Sequence, residues 1–307
     1  MNICILTHGK AKFIKGKTVS TRSLYFAATR RGHNVRVINA ALCYVDVDSD
    51  KPRVLYEGED ISTAFDAIIP RIMPNLTTYA TAILRQFEMV GVYTTAKSIA
   101  IARSRDKFRS IQLLAKSKIA IPHTIFSRES AEIDDLIEKI GTPVIIKLAK
   151  GTQGKGVVLA ETRKAAKSVM QAFYVLDTSI LLQEYIEESA GSDIRAFVVG
   201  NHVVASMKRQ SLTDDFRSNL HQGGEGRTIK LTDEEAKIAV KAAKAMGLPI
   251  CGVDMLRSDK GTLVIEVNAN PGLEGIEKVT GRDVAGKIIE YVENNASQRN
   301  RKDRVGA

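Results

Sequence analysis

Residues 252–272, which read GVDMLRSDKGTLVIEVNANPG, predict two strands joined by a turn. Val253 to Arg257 and Leu263 to Val267 are rich in aliphatic and β-branched residues, and the SDKG sequence at 258–261 has the residue types of a tight turn. The Asn-Pro-Gly ending stops the second strand sharply. We therefore expect a β-hairpin late in the chain, with the other segments arranged around it.

Three oxygen-bearing side chains of this hairpin predict a metal site. Glu266 and Asn268 lie two residues apart, so on a strand they project from the same face. If the hairpin closes around its turn, Asp254 falls opposite residue 265 or 266. Carboxylates that are held together repel each other, and the usual relief is a divalent cation such as Mg²⁺, which prefers oxygen ligands and phosphates. A polar strand face open to solvent is the alternative interpretation.

Length and composition indicate a globular protein of two or three domains. The chain has 307 residues, of which 44% are hydrophobic and 26% charged. No apolar run reaches the roughly 18 residues needed to cross a bilayer, and residues 2–7 lack the features of a signal peptide, so we expect no membrane partner. The three cysteines are scattered without a metal-binding spacing, which favours the reducing cytoplasm.

The net charge of +10 is compatible with nucleic acid, a phosphate-rich ligand or an acidic substrate. Aromatic residues make up only 6% of the chain, and we find no base-recognition motif, which argues against a base-stacking module. Part of the charge comes from residues 296–307, a basic segment without apolar periodicity that we expect to be disordered.

The order of strand and helix patterns predicts the domain division. Residues 1–97 alternate strand and helix patterns, as in a small parallel α/β domain. A basic amphipathic helical region, Ser98 to Lys118, follows, and the domain boundary lies near residues 97–121. Residues 98–295 form the second domain, in which a first lobe covers roughly 122–182 and further strands read as an antiparallel sheet.

Residues 143–160 read as a strand, a glycine-rich loop and a second strand. The glycines allow close backbone approach, so N–H groups of the loop could cradle phosphate oxygens, although a simple turn is the alternative. The loop is not a Walker A loop, because the Gly-Lys-Ser/Thr sequence and the following helix are missing. Lys147 lies within the first apolar strand, where burial without an anionic partner is costly. Phosphate suits that position, while extension of the ammonium to solvent is the competing interpretation.

Over residues 1–295 the chain resembles the ATP-grasp superfamily and, within it, the RimK-type α-L-glutamate ligases. The resemblance implies an α/β and α+β architecture: an ATP-grasp fold at 98–295, whose two lobes close on ATP, with an N-terminal pre-ATP-grasp α/β domain at 1–97. The motifs that carry the resemblance are Pro70-Arg71-Ile72, Leu84-Arg85-Gln86-Phe87-Glu88-Met89, Arg105-Asp106-Lys107, the Lys147 strand, Gly151-Thr152-Gln153-Gly154, Gln183-Glu184-Tyr185-Ile186, Asp193-Ile194-Arg195, Asp215-Phe216-Arg217-Ser218-Asn219-Leu220-His221, Asp254, and Glu266-Val267-Asn268-Ala269-Asn270-Pro271-Gly272.

The resemblance also implies roles for residues that bind ATP. Lys107 and Lys147 contact nucleotide phosphates. Glu184 and Tyr185 bind adenine at the hinge, chiefly through backbone groups, and Asp193 binds the ribose.

A further set of implied roles concerns phosphoryl transfer. Arg217, Ser218 and Asn219 line the region of transfer and contact ATP, and Arg217 is the expected catalytic residue, stabilising the charge on the transferring phosphoryl group.

Arg209 is assigned to a substrate carboxylate because a planar guanidinium suits bidentate pairing, with a solvent-facing arginine as the alternative. The implied ligands of Mg²⁺, or of Mn²⁺ as a substitute, are Asp254, Glu266 and Asn268.

The implied reaction joins a carboxylate to an amine at the expense of ATP. A substrate carboxylate attacks the γ-phosphate to give an acyl phosphate, which the amine of L-glutamate captures as an amide. The expected acceptor is the C-terminal glutamate of a small-subunit ribosomal protein. We also expect contact to the ribosome and a homo-oligomeric enzyme. Two alternatives stay open: an α-glutamate ligase that acts on a small-molecule or carrier acceptor, and a non-catalytic nucleotide- or RNA-binding protein.

Overall fold

The computed structural model describes residues 1–8, 18–48, 50–129, 132–149, 156–212 and 224–296. The strands and helices of these residues, in chain order, are β1 (Asn2–Thr7), α1 (Val19–Arg30), β2 (Asn34–Asn39), β3 (Cys43–Asp46), β4 (Arg53–Tyr56), β5 (Glu59–Asp60), β6 (Ala67–Pro70), α2 (Thr77–Met89), β7 (Tyr93–Thr94), α3 (Ser98–Arg105), α4 (Lys107–Lys116), β8 (Thr124–Ser127), α5 (Ile133–Ile140), β9 (Val144–Leu148), β10 (Val157–Ala160), α6 (Arg163–Val175), β11 (Ile180–Glu184), β12 (Ser192–Val199), β13 (His202–Gln210), β14 (Glu225–Thr228), α7 (Asp233–Met246), β15 (Ile250–Ser258), β16 (Gly261–Asn268), α8 (Glu274–Thr280) and α9 (Val284–Ala296).

The N-terminal strands form a parallel sheet with the order β2-β1-β6-β7. Its central strand β1 is buried on both faces, as expected for a parallel sheet covered by helices. Ile3 and Ile5 pack with α1 and α9, whereas Cys4 and Leu6 pack on the opposite face with α2. The final helix therefore returns to cover the first domain.

The first lobe is an antiparallel sheet with the order β10-β9-β11-β8. Helices α5 and α6 cover one face, and Ile146, Met170 and Leu182 are fully buried there. Lys147 lies between Val157 on β10 and Leu181 on β11, and it points away from this apolar core.

The second lobe is built on an antiparallel sheet with the order β14-β13-β12-β15-β16. One face packs against α7, which begins with a capping box: Thr232 Oγ1 accepts from the Glu235 N–H at 3.1 Å, and Glu235 Oε2 accepts from the Thr232 N–H at 2.8 Å. On the other face, Phe197 and Met207 pack with α8 and α9 beside a row of charged side chains.

The predicted hairpin is confirmed, with longer strands than the sequence indicated: β15 and β16 pair antiparallel around the predicted turn. Asp254 lies opposite Glu266, one of the two positions expected, and the register shifts directly after Asp254. The pairing places these two carboxyl side chains on the same face of the sheet.

Some elements were missed or mispredicted. The short strands β3, β4 and β5, which form a separate antiparallel sheet, and the short strand β14 were not predicted. Helix α8 was missed because its seven residues are too short to show helical periodicity. The helical region predicted at 98–118 divides into α3 and α4, because the Asp106 carboxylate accepts from the Arg109 N–H at 3.0 Å and starts a new helix.

Two predicted segments lie outside the described residues: the glycine-rich loop at 150–155 and the basic tail at 297–307. In the part of the chain that the structure covers, no helix has the length and apolar character that crossing a membrane requires.

Candidate active site

The N-terminal domain and both lobes meet in one region, which we call the crevice. Arg71 follows β6 at the carboxyl edge of the parallel sheet, and its Nη2 donates to the carbonyl of Pro271 at 2.9 Å, just beyond the hairpin. Lys107, the first residue of α4, donates from Nζ to the carbonyl of Leu148 at 2.7 Å, at the end of β9. Ligands of open parallel sheets bind at the carboxyl ends of the strands, so this crevice is the natural candidate site.

Two lysines and one glutamate define the charge of the crevice. Lys147 Nζ donates to Gln183 Oε1 at 2.6 Å. Burial lowers the pKa of Lys147 to about 8; the nearby charge of Glu266 opposes this shift and that of Lys107 adds to it. Burial also lowers the pKa of Lys107, again against the attraction of Glu266. Lys107, Lys147 and Glu266 therefore share one electrostatic environment, in which one carboxylate acts on two half-buried cations.

The oxygen groups of the hairpin fit a hard divalent cation. Glu266 is exposed, and no described residue donates a hydrogen bond to it. Asn268 Oδ1 accepts from the backbone N–H of Asn270 at 2.9 Å, and this hydrogen bond holds the side-chain oxygen of Asn268 at the end of β16. Among the described residues no three His, Cys, Asp or Glu side chains gather as in an all-protein metal cage. Mg²⁺ is usually held by one or two carboxylates together with substrate phosphates, so this donor set fits it.

Asp254 is buried in an ion network. Its carboxylate accepts from Arg195 Nη2 at 2.7 Å and from Arg195 Nε, and Arg209 Nη2 lies 2.9 Å from Asp254 Oδ2. Arg209 Nε also donates to Asp193 Oδ1 at 2.6 Å. Burial alone would raise the pKa of Asp254, but the two arginines outweigh it and lower the value to about 2. Two cations and two anions are therefore paired within the sheet.

Gly252 makes room for this network. A Cβ at Gly252 would lie 3.0 Å from Arg195 Cδ and 3.1 Å from Pro271 Cβ, both closer than an ordinary contact. Because Gly252 has no side chain, the Arg195 side chain has room beside it and reaches Asp254 on the neighbouring strand.

The network bears on two predicted roles. Asp193 was predicted to bind ribose and Arg209 a substrate carboxylate, yet in this structure they bind each other and are both buried. Burial raises the pKa of Asp193, and the attraction of Arg209 offsets only part of that rise. Ligand contacts by either side chain would compete with this pairing, so both roles stay predictions.

Glu184 and Tyr185, the predicted adenine contacts, lie where β11 leaves the first lobe. Lys260, in the hairpin turn, donates from Nζ to Glu184 Oε1 at 2.6 Å, and this hydrogen bond lowers the pKa of Glu184. The backbone N–H of His123 donates to Glu184 Oε2 at 3.2 Å. With its side chain so engaged, Glu184 connects the first lobe to the hairpin turn.

Some predicted residues cannot be placed, and some placed residues were not predicted. Arg217, Ser218 and Asn219 lie outside the described residues, and their roles stay predictions. The structure adds Arg195, Gln183 and Lys260, whose partners are Asp254, Lys147 and Glu184. Arg195 could have been suspected because it lies two residues after Asp193 on the same strand face.

Family models match nearly the whole chain. Residues 1–101 match a RimK PreATP-grasp domain, and residues 104–292 match a RimK-like ATP-grasp domain.

Curated relatives are similar over the full length. A protein of Nitrosococcus oceani named probable alpha-L-glutamate ligase is 56% identical over 283 residues, which cover 92% of this chain and 94% of the relative. A protein of Aliivibrio fischeri with the same name is 52% identical over 305 residues and 99% of each chain.

Solved structures share the fold at low sequence identity. The ATP-grasp ligase PsnB, solved with a minimal precursor, Mg and ADP, has a TM-score of 0.73 at 17% identity, covering 96% of this chain and 98% of PsnB. The D-alanine–D-alanine ligase of Bacillus anthracis, solved with ATP, has a TM-score of 0.69 at 16% identity, covering 97% of this chain and 98% of the ligase.

Proposed function

The chain belongs to the RimK-like ATP-grasp family of ATP-dependent ligases, and we propose that it adds L-glutamate to the C-terminal glutamate of a small-subunit ribosomal protein. Family membership confirms the predicted fold, an ATP-grasp domain preceded by a pre-ATP-grasp α/β domain. It also agrees with the names of the curated relatives, which are probable α-L-glutamate ligases.

The observation that carries the proposal is the convergence of Lys107, Lys147 and Glu266 in the crevice. Two half-buried lysines that feel the charge of one exposed carboxylate leave an excess of positive charge. A nucleotide polyphosphate supplies the missing negative charge, and a buried cation binds phosphate more strongly than an exposed one does. A non-catalytic nucleotide- or RNA-binding protein would have no use for the oxygen groups of the hairpin beside these lysines.

Metal binding is part of the proposal. Glu266 and Asn268, with the ionised Asp254 behind them, would hold Mg²⁺ or Mn²⁺. When bound, the cation would neutralise charge on the phosphates. Arg195 and Arg209 keep Asp254 ionised and fixed in position, and a cation bound to its oxygens would share them with this pairing.

The proposed reaction forms one amide bond and consumes one ATP. An oxygen of the acceptor's C-terminal carboxylate attacks the γ-phosphorus, the bond to the β-phosphate oxygen breaks, and ADP leaves. The amine of L-glutamate then attacks the acyl carbon, releasing inorganic phosphate and a proton. Lys107 and Lys147 hold the phosphates in line and offset their charge, since phosphoryl transfer depends chiefly on positioning and electrostatic stabilisation.

The acceptor is the least constrained part of the proposal. The net charge of +10 favours an acidic partner, such as a chain that ends in glutamates, and agrees with contact to the ribosome. A cytoplasmic location and assembly into a homo-oligomer belong to the same proposal, and light scattering of the purified protein tests the assembly. A small-molecule or carrier acceptor is the competing possibility.

An acceptor assay separates these possibilities. Purified enzyme with ATP, Mg²⁺ and L-glutamate is offered either the ribosomal protein or small-molecule acceptors, and the products are weighed by mass spectrometry. We expect glutamate on the ribosomal protein and ADP release that depends on it. Glutamate on a small molecule alone would assign the enzyme to the competing acceptor, and ADP release with neither would contradict both.

The pKa of Lys147 predicts a pH dependence of nucleotide binding. Below pH about 8 its ammonium is charged and can pair with phosphate, whereas above that value the free enzyme loses the proton. Because a bound phosphate favours the charged form, binding above pH 8 takes up a proton, and the Kd for ADP rises by up to about tenfold per pH unit. Calorimetric titrations in two buffers with different ionisation heats measure both the Kd for ADP and the number of protons taken up.

Lys147→Arg is the matched control, because a guanidinium stays charged throughout the range from about pH 7.5 to 9.5. Its ADP affinity should vary much less with pH. A wild-type affinity that stays constant over this range, without proton uptake, would place Lys147 away from the phosphates.

A further inference from the structure

Two arginines in the crevice have no acidic partner among the residues that the structure describes. Arg71, at the end of β6, is 9% exposed, and its guanidinium donates to the carbonyl of Pro271. Arg105, the last residue of α3, is half-buried and donates from Nη2 to the carbonyl of Ile72 at 2.8 Å. Among the described residues no carboxylate forms an ion pair with either side chain. Arg195 and Arg209, by contrast, are both paired with aspartates.

The electrostatics of the pair favour an anionic ligand. Burial and the positive charge of Arg105 together lower the pKa of Arg71 to about 10. Burial also lowers the pKa of Arg105, and the charge of Glu266 offsets part of that effect. A buried cation close to a half-buried one is costly unless an anion binds there. A planar guanidinium suits a carboxylate particularly well because it can donate two parallel hydrogen bonds.

Unpartnered polar atoms indicate which groups the ligand carries. Arg105 Nε, a donor, and Asn270 Oδ1, an acceptor, are both buried and have no hydrogen-bond partner among the described residues. The amide of Asn270 is oriented by its own Nδ2, which donates to the carbonyl of Ile72 at 3.0 Å, the carbonyl that Arg105 also contacts. An unmatched donor beside an unmatched acceptor suits a ligand that has a carboxylate next to an amine.

We infer that Arg71 and Arg105 bind the α-carboxylate of the amino-acid substrate and that Asn270 Oδ1 accepts a hydrogen bond from its α-amine. This subsite rests on the proposed function, whose second step requires an amino acid with a free amine. It lies beside the hairpin, because Asn270 follows Asn268 by two residues and Glu266 acts on the charge of Arg105. The amine would thus be held next to the place where the acyl phosphate forms. Arg71 is positioned by the N-terminal domain and Arg105 by α3. Together they would distinguish an α-amino acid from a simple amine.

Steady-state kinetics of Arg105→Gln test the subsite. ADP release is measured with L-glutamate varied at saturating ATP and acceptor. Since a charged hydrogen bond is commonly worth one to two powers of ten in affinity, we expect the KM for L-glutamate to rise about 10- to 100-fold. The KM for ATP should stay within about twofold. Arg109→Gln, an exposed arginine on the neighbouring helix α4, should behave as wild type.

Two further variants make the test specific. Arg71→Lys keeps the positive charge but loses the planar guanidinium, so it should also raise the KM for L-glutamate. If Arg105→Gln does not fold, Arg71→Lys takes its place in the test. Glutarate has the carboxylates of glutamate without the amine. It should bind the wild type more weakly than L-glutamate does, and that difference should shrink in Asn270→Ala.

Failure of this inference can be distinguished from failure of the proposed function. An unchanged KM for L-glutamate, or a rise in the KM for the acceptor instead, overturns the subsite while leaving the ligase activity in place. If the wild type adds glutamate to no acceptor, calorimetric titration of L-glutamate into wild type and Arg105→Gln decides the matter. Binding to the wild type that Arg105→Gln loses supports the subsite, and absence of binding to the wild type overturns it.

Discussion

Glu266→Gln is expected to lower ADP formation by at least about a hundredfold while leaving the fold intact. The reason is that it removes the exposed carboxylate that acts on the charges of Lys107 and Lys147. The change keeps the size of the side chain and removes its charge. No hydrogen bond from a described residue depends on Glu266, so its loss should change the free energy of unfolding by no more than about 0.5 kcal/mol. The variant should also lower the pKa of Lys147 further, since the charge of Glu266 opposes the effect of burial.

Coupled ADP release and urea denaturation measure these two effects separately. Glu138→Gln, an exposed position on α5, which covers the sheet face opposite Lys147, is the matched control and should retain full activity. Turnover of Glu266→Gln at the wild-type rate would remove Glu266 from the metal and phosphate site.

Arg209→Met should lower the stability of the protein by about 3–5 kcal/mol, because it leaves buried carboxylates without their partner. Arg209 is 4% exposed and pairs with both Asp193 and Asp254, which are themselves buried. Once the guanidinium is gone, Asp193 keeps no cation at hydrogen-bond distance, and Asp254 depends on Arg195 alone. Urea denaturation followed by circular dichroism gives the free energy of unfolding.

The double variant Arg209→Met/Asp193→Asn separates loss of the ion pair from loss of packing. It should recover part of the lost stability, because the unpaired charge is no longer buried. Arg227→Met serves as the exposed control, since its side chain is 76% exposed and its pairing with Glu225 should contribute less than about 1 kcal/mol. Equal stabilities of the single and double variants would contradict the assignment of the effect to charge.

Local patterns in the sequence predicted the hairpin well. The aliphatic and β-branched residues of β15 and β16 and the turn between them narrowed the register, so Asp254 could be placed opposite residue 265 or 266 from spacing alone, and the structure pairs it with Glu266. The helix α7 was equally predictable, because Thr232 and Glu235 form a capping box over four consecutive positions. Both features depend on residues that are close along the chain.

The ion network could not be predicted in the same way. Arg195 meets Asp254 because β12 pairs with β15, although the two residues are 59 positions apart in the sequence. Arg209 was assigned to a substrate carboxylate because a planar guanidinium suits bidentate pairing, whereas in the structure its guanidinium pairs with Asp193. The pairing of Lys147 with Gln183 likewise depends on the order of strands in the first lobe, which spacing does not specify.

Isotope transfer tests the central claim, acyl-phosphate ligation in the crevice of Lys107, Lys147 and Glu266, most directly. A glutamate-terminated acceptor peptide is labelled with a heavy oxygen isotope in its C-terminal carboxylate and incubated with enzyme, ATP, Mg²⁺ and L-glutamate. We predict one labelled oxygen in each inorganic phosphate released, together with a mass increase of one glutamate residue on the peptide, and loss of both signals in Glu266→Gln. Unlabelled phosphate, or ADP release without a gain of glutamate, would contradict the account.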